Sequence, residues 1–176
     1  MTIGGIGTVG LVACIALSTG CGGGAPRAVT TTTTTAPAPT TTIDPVAGAG
    51  LAHGFNHALG TANGALFAFG QRLAAGVNAT GASLPADFVS SASALATAEL
   101  AVAGALKGST WPAGVQPLID QVVADLRTFA ADLQLVSSLA PSLLPDWQRQ
   151  FTRDGATLNA AEDAVRVALG AAPGGA

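Results

Sequence analysis

The sequence predicts an all-α protein: an antiparallel four-helix bundle placed behind an apolar leader and a disordered Thr/Pro-rich linker. Three observations predict it. Apolar residues recur at steps of three and four along four long segments, the period of a helix that packs by one face. No run alternates apolar and polar residues as a half-buried strand would. Clusters of proline and glycine separate the four segments by short loops, which suits antiparallel neighbours.

The leader comes first. Residues Ile3 to Leu17 are apolar or small and carry no charge. This run is shorter than the roughly 20 residues of a spanning helix and matches the apolar core of a secretory signal. No Lys or Arg precedes it, so the α-amino group supplies the only positive charge, which marks either a start placed too late or a weak signal. The run ends in Cys14 and Cys21, the only cysteines of the chain. Both lie upstream of the helical segments, so they cannot staple that domain. The stretch resembles the lipobox of bacterial lipoproteins, which implies a thiol acylated with diacylglycerol and cleavage just before it. Leu11-Val12-Ala13-Cys14 fits the pattern residue for residue, but it leaves a short leader and an apolar stub behind the cut. Leu17-Ser18-Thr19-Gly20-Cys21 has a full apolar run and a Gly22-Gly23-Gly24 exit, with Ser18 where the pattern has Leu. Cys21 is the preferred lipidation site and Cys14 the second choice. The plain alternative is that both are small apolar residues of an unlipidated signal peptide or membrane stub. Each buried methylene adds about 0.8 kcal/mol, so the two chains of a diacylglycerol give long-lived attachment.

Residues 21–45 follow as the lipidated cysteine and a low-complexity Thr/Pro/Ala/Gly linker, "GGGAPRAVTTTTTTAPAPTTTIDP". This composition buries no core and predicts disorder. As a coil it spans about 25–30 Å, and fully stretched about 75–85 Å. It is a tether, and its clustered Thr beside Pro resembles O-glycosylated stalks.

The helical domain is expected over residues 46–172. The first helix, 46–78, carries Leu51, Phe55, Leu59, Ala62, Leu66, Phe69, Leu73 and Val77 on one stripe. It is glycine-rich, at up to about 1 kcal/mol each against alanine, so packing must hold it. Residues 45–71 carry no formal charge over 27 positions, but His53, Asn56, His57 and Asn63 make them a poor solute for a bilayer. The second helix, 84–107, opens with Ser83 as N-cap, Pro85 in the first turn and Asp87 at the positive helix end, and closes at Lys107-Gly108. Its stripe is Phe88, Leu95, Val102 and Leu106. Trp111 precedes Pro112 and is biased away from helical geometry, so the third helix starts between Ala113 and Pro117. It carries Val115, Leu118, Val122, Leu126, Phe129, Leu133 and Val136, and Pro141 ends it near residue 140. The fourth, 145–170, carries Trp147, Phe151, Leu158, Val165 and Leu169.

Chemistry is sparse in this chain. Charged residues are only 10% of the 176, the net charge is −3, and no basic footprint for nucleic acid exists. His53 and His57, the only histidines, share one helix face at i, i+4, a two-point grip for a metal. At about 100° per residue they point away from the apolar stripe, toward solvent, and no acid lies between them as in the metalloprotease pattern. Asp125 and Asp132 share a flank of the third helix. Asp154 sits near the stripe of the fourth, where pairing with Arg127, Arg149 or Arg153 is expected, and Glu162 flanks its other side. No Glu-x-x-His, G-x-S-x-G or phosphate-binding glycine pattern occurs. Ser90, Ser91 and Ser93 read as ordinary small helix residues. Trp111 and Trp147 are the largest apolar anchors, expected to seal the ends of the bundle, and are weak candidates for a binding surface.

Taken together, the lipobox-like start, the Thr/Pro stalk, the Ala/Gly bias and "WPAGVQPLIDQVVADL" resemble uncharacterised exported lipoproteins of the actinobacterial, mycobacterial type. The resemblance implies lipid anchoring on the outer face of the cell membrane and brings no catalytic residue. The expected function is a non-enzymatic, membrane-tethered domain that binds a protein or envelope component, without a cofactor. A carrier of a small apolar ligand held between the helices is the alternative. Metal or haem binding through His53 and His57 ranks third.

Overall fold

A computed structural model describes residues 43–75, 77 and 83–173. The expected leader, Cys14, Cys21 and nearly all of the linker lie outside the described residues. Within them the protein is all-helical, with five α-helices, two 3-10 turns and no strand.

Helix α1, Pro45–Gly60, starts at the last residue of the expected linker. Asp44 caps it, accepting from the backbone N–H of Val46 at 2.8 Å and of Ala47 at 3.3 Å, and Pro45 fills the first position, where its missing N–H has no consequence. The single helix expected over 46–78 is instead two. After Gly60 the chain tightens: the Thr61 hydroxyl donates to the Ala58 carbonyl at 2.7 Å, and the N–H groups of Thr61 and Ala62 bond three residues back, at 3.2 and 3.1 Å. This 3-10-type step separates α1 from α2, Asn63–Ala74. Ala62 stays buried across the step, so the apolar stripe runs from Phe55 through Ala62 to Phe69 without a change of face.

Helix α3, Ala86–Gly108, begins after Pro85, with no side-chain cap. Ser83 is therefore not its N-cap. Asp87 takes that work, accepting from the Phe88 N–H at 2.9 Å and pairing with Arg72 of α2 at 2.8 Å. At the other end the Trp111 indole N–H donates to the Leu106 carbonyl at 2.9 Å, one of the carbonyls a helix end leaves open. Among the described residues α3 is the one helix long and apolar enough to cross a membrane, by length and composition. Here its buried face packs against α2 and α4.

Helix α4, Gln116–Leu135, starts within the expected window but stops five residues before the expected end. The Ser137 and Ser138 hydroxyls bond back to the carbonyls of Gln134 and Leu135, at 2.9 and 3.2 Å, in a 3-10 turn over Val136–Ser138. Ala140, just before Pro141, is extended. Helix α5, Leu144–Ala168, ends in a left-handed Gly170, φ 79°, with the Ala171 N–H bonded to the Arg166 carbonyl at 2.8 Å.

Pairing of α3 with α4 forms the centre, α5 lies on α4, and α1 and α2 lie on α3. One end of the core is aromatic. Phe69, Phe88, Phe129, Trp147 and Phe151 come from four helices, with Phe129 stacked on Phe151 at 4.5 Å and Trp147 on Phe151 at 5.0 Å. Toward α1, Phe55 meets Trp111 edge-on at 6.2 Å.

Candidate functional site

The helix ends that frame α1 hold the polar interior of the molecule. Glu99 lies in the middle of α3 at 6% exposure, the only buried charged residue among those described. No hydrogen bond or ion pair reaches it from the described residues. Burial, and then the nearby Glu162 of α5, push its carboxyl up to about 7. Glu162 is itself raised by burial, and Arg166 one turn later opposes that shift. The Arg166 guanidinium is largely buried, and each of its three nitrogens donates. It donates to Glu162 at 3.1 Å, to Asp163 at 2.8 Å, and across to the Asn56 side-chain oxygen of α1 at 3.1 Å. It also lies 5.8 Å from the centre of the Phe55 ring, within cation–π range. One cation thus joins α1 to α5, beside an acid of α3.

Asn56 also lines a half-open cavity of about 530 Å³ between α1 and the end of α5. Ile43, Pro45, Ala49, Ala52, Val167 and Leu169 make its apolar walls, and Asp44, His53 and Asn56 its polar ones. Gly48 sets how closely the two elements approach. A Cβ there would lie 2.8 Å from the Leu169 carbonyl oxygen, so α1 docks on α5 only because that side chain is missing.

A second acid pair lies between α4 and α5. Asp132 Oδ2 is buried with no hydrogen-bond donor, and the group across from it is Asp154, another carboxylate. Protonation of one of the two carboxyls would supply the missing donor. Burial first, then the contact with Asp154, raises Asp132 to about 6. The expected pairing of Asp154 with Arg127, Arg149 or Arg153 is therefore corrected. Asp154 accepts from Gln150 at 2.6 Å, while Arg149 pairs with Asp146 and Arg153 donates to Gln150 at 2.6 Å. Asp125 accepts from Gln121 at 2.8 Å through one oxygen, and its other oxygen is buried without a donor.

The other candidates are placed apart. His53 and His57 are both exposed, their rings near-parallel with centres 6.5 Å apart. Among the described residues no group of three or more His, Cys, Asp or Glu side chains converges as a metal site would require. Trp147 is buried, its indole N–H bonded to the Asp132 carbonyl at 2.8 Å, and Trp111 is half-buried. The hydroxyls of Ser90 and Ser91 bond back to their own helix, at 3.1 and 2.8 Å.

Glu99 is the residue that a reading of sequence stripes passes over. The signal for it is present: 88, 92, 95, 99, 102 and 106 keep the three-four period of the buried face, and Glu99 is the only charge between Asp87 and Lys107. No family model matches this chain, and no curated protein or solved structure matches it.

Proposed function

We propose that the protein is an exported, lipid-anchored helical domain of the actinobacterial lipoprotein type, non-enzymatic, that binds a protein or another component of the cell envelope. Cys21 is the anchor in this reading and Cys14 the second choice. The domain acts as an antiparallel four-segment bundle, with α1 and α2 together forming the first segment. The observation that carries this reading is the start of α1: Asp44 and Pro45, the last residues of the low-complexity sequence, cap and open that helix. The described carboxyl groups support a binding role. Asp44 caps α1, Asp87, Asp146, Glu162 and Asp163 pair with arginine, and Asp120, Asp125 and Asp154 accept from glutamine side chains.

Fractionation of cells carrying Cys21→Ser tests the anchor. The protein moves from the membrane to the soluble fraction, while Cys14→Ser leaves it bound. Release by Cys14→Ser alone reassigns the anchor, and release by neither ends the lipoprotein reading.

A carrier of a small apolar ligand is the second reading, favoured by the cavity between α1 and α5. Its volume of about 530 Å³ lies within the roughly 300–1,000 Å³ usual for small-molecule sites. Native mass spectrometry of the protein purified from its own membrane tests it. A co-purifying ligand lost when Ala49→Trp fills the cavity supports the carrier, and a bare domain favours the first reading.

A further inference from the structure

The cavity between α1 and the end of α5 has two kinds of wall. Ile43, Val167 and Leu169 give it an apolar side. Val167 is 59% exposed although it lines that wall, so a chain lying in the cavity would cover it. The polar side is rich in acceptors. Asp44 caps α1 through one oxygen alone, which takes the N–H groups of both Val46 and Ala47. Its second oxygen has no partner among the described residues. The carbonyls of Ala168 and Leu169, where α5 runs out, accept no N–H from the described residues, and the Leu169 oxygen lies against Gly48 of α1. The partial negative charge of a helix C-terminus adds to the charge of Asp44.

No Lys or Arg is among the described residues that line the cavity. Arg166 meets the wall through Asn56, and its other two nitrogens go to Glu162 and Asp163. With its oxygen taken by Arg166, Asn56 has its amide N–H groups left to offer, and the exposed His53 can donate or accept. An anionic head would therefore meet Asp44 and open carbonyls with no cation to balance it. A primary ammonium brings three N–H donors and no acceptor, the complement of this rim.

We propose that the cavity is a site for a single-chain amphiphile with a protonated primary amine as its head. The ammonium sits between Asp44 and the open carbonyls of α5, and the apolar chain lies along Ile43, Val167 and Leu169. The proposal rests on the carrier reading and narrows its ligand to one chemical class.

NMR titration of the full chain carrying Cys14→Ser and Cys21→Ser, which takes no acyl group, tests it at pH 8, where an alkylamine keeps its proton. The probes are octylamine, octanoate and 1-octanol below their aggregation limits. Octylamine should shift the amides of Ala49, Ala52 and Leu169 saturably and bind at least about threefold tighter than either of the others. Asp44→Asn should remove that advantage, while α1 keeps its hydrogen-exchange protection because asparagine caps a helix as well as aspartate does. Octanoate or octanol binding as tightly as octylamine overturns the amine head and leaves the carrier reading standing. The comparison of probes on the chain with Asp44 in place decides this even where Asp44→Asn disturbs α1. Phosphatidylethanolamine vesicles that displace octylamine would assign the amine to a membrane headgroup and overturn the single-chain ligand. Absence of a saturable shift with all three probes ends the amine site, and the co-purified ligand decides the carrier reading separately.

Discussion

The two ends of this domain are held by different physics. At one end five aromatic rings from α2, α3, α4 and α5 pack on one another, with Phe69, Phe88, Phe129 and Trp147 nearly inaccessible. At the other end α1 rests on α5 through one arginine, one asparagine and one glycine, beside a buried acid and an open cavity. The aromatic end is held by apolar area, with one acid pair, Asp132 and Asp154, at its margin. The α1 end has little apolar area and depends on charge balance and close approach. A domain built this way has a well-packed body and one helix held by few contacts.

Truncation in the aromatic end gives the largest expected effect. Phe129 is buried, stacks on Phe151 and touches the space over Gly155. Phe129→Ala leaves a cavity that α5 cannot collapse into, and should destabilise the fold by about 3–5 kcal/mol in urea unfolding. A loss below about 1 kcal/mol would mean that the aromatic end is not the anchor of the domain. At the opposite end Gly48→Ala adds a single methyl. It meets backbone rather than a movable side chain, so α1 and the end of α5 must separate by a few tenths of an ångström. The expected loss is about 1–3 kcal/mol, as for overpacking. It should appear in hydrogen exchange as lost protection in α1 while α4 keeps its own. Equal loss in both helices would erase the distinction between the two ends.

The aromatic end was legible in the sequence, and at the α1 end its apolar stripe was, with Phe55, Val165 and Leu169 buried, while its polar contacts were not. Phe69, Phe88, Phe129 and Trp147 all fall on stripes of period three to four, and all are buried. Such stripes depend only on local spacing. The step at Thr61 was harder, because a hydroxyl that bonds back to Ala58 competes with the helix without altering the stripe. Glu99 lay within reach of the same periodicity, since it occupies a stripe position, but a search for acids near histidine or arginine passes over an acid with neither. Its neighbour Glu162 lies on another helix, so their meeting is a property of packing. For the same reason Asp154 reads as a partner for a nearby arginine, yet the fold sets it against Asp132. Cys14 and Cys21 lie outside the described residues, and the evidence for them remains the sequence pattern.

The acid pair of α4 and α5 offers a smaller test, on the margin of the aromatic end. Asp132 is raised to about 6, so its contribution to stability is complete below the ordinary 3.8 and is lost as pH rises through 6. Asp154→Asn removes the like charge and supplies an amide donor. In carboxyl ¹³C titration the Asp132 midpoint should fall by about one pH unit or more toward the ordinary range. An unchanged midpoint would leave burial alone as the cause, and the part given to Asp154 would be withdrawn.

The smallest effect is expected at His53 and His57, although they belong to the sparsely held helix. Both rings are exposed, and Arg166 holds α1 through Asn56 rather than through either imidazole. Replacing both by alanine should change stability by no more than about 0.5 kcal/mol, as for surface sites away from caps and ion pairs. The metal reading makes a separate demand. Two imidazoles at i, i+4 fill two positions of a tetrahedral zinc site, and water fills the others unless a third side chain converges. Weak Zn²⁺ uptake by the native chain therefore decides nothing. Calorimetric titration beside the double variant decides it: submicromolar affinity lost on substitution would require a carboxylate from another element to reach the pair. That carboxylate would also tie α1 down from its outer face. Zinc would then raise the hydrogen-exchange protection of α1, and the contrast between the aromatic end and the sparsely held α1 end would hold only in the metal-free protein.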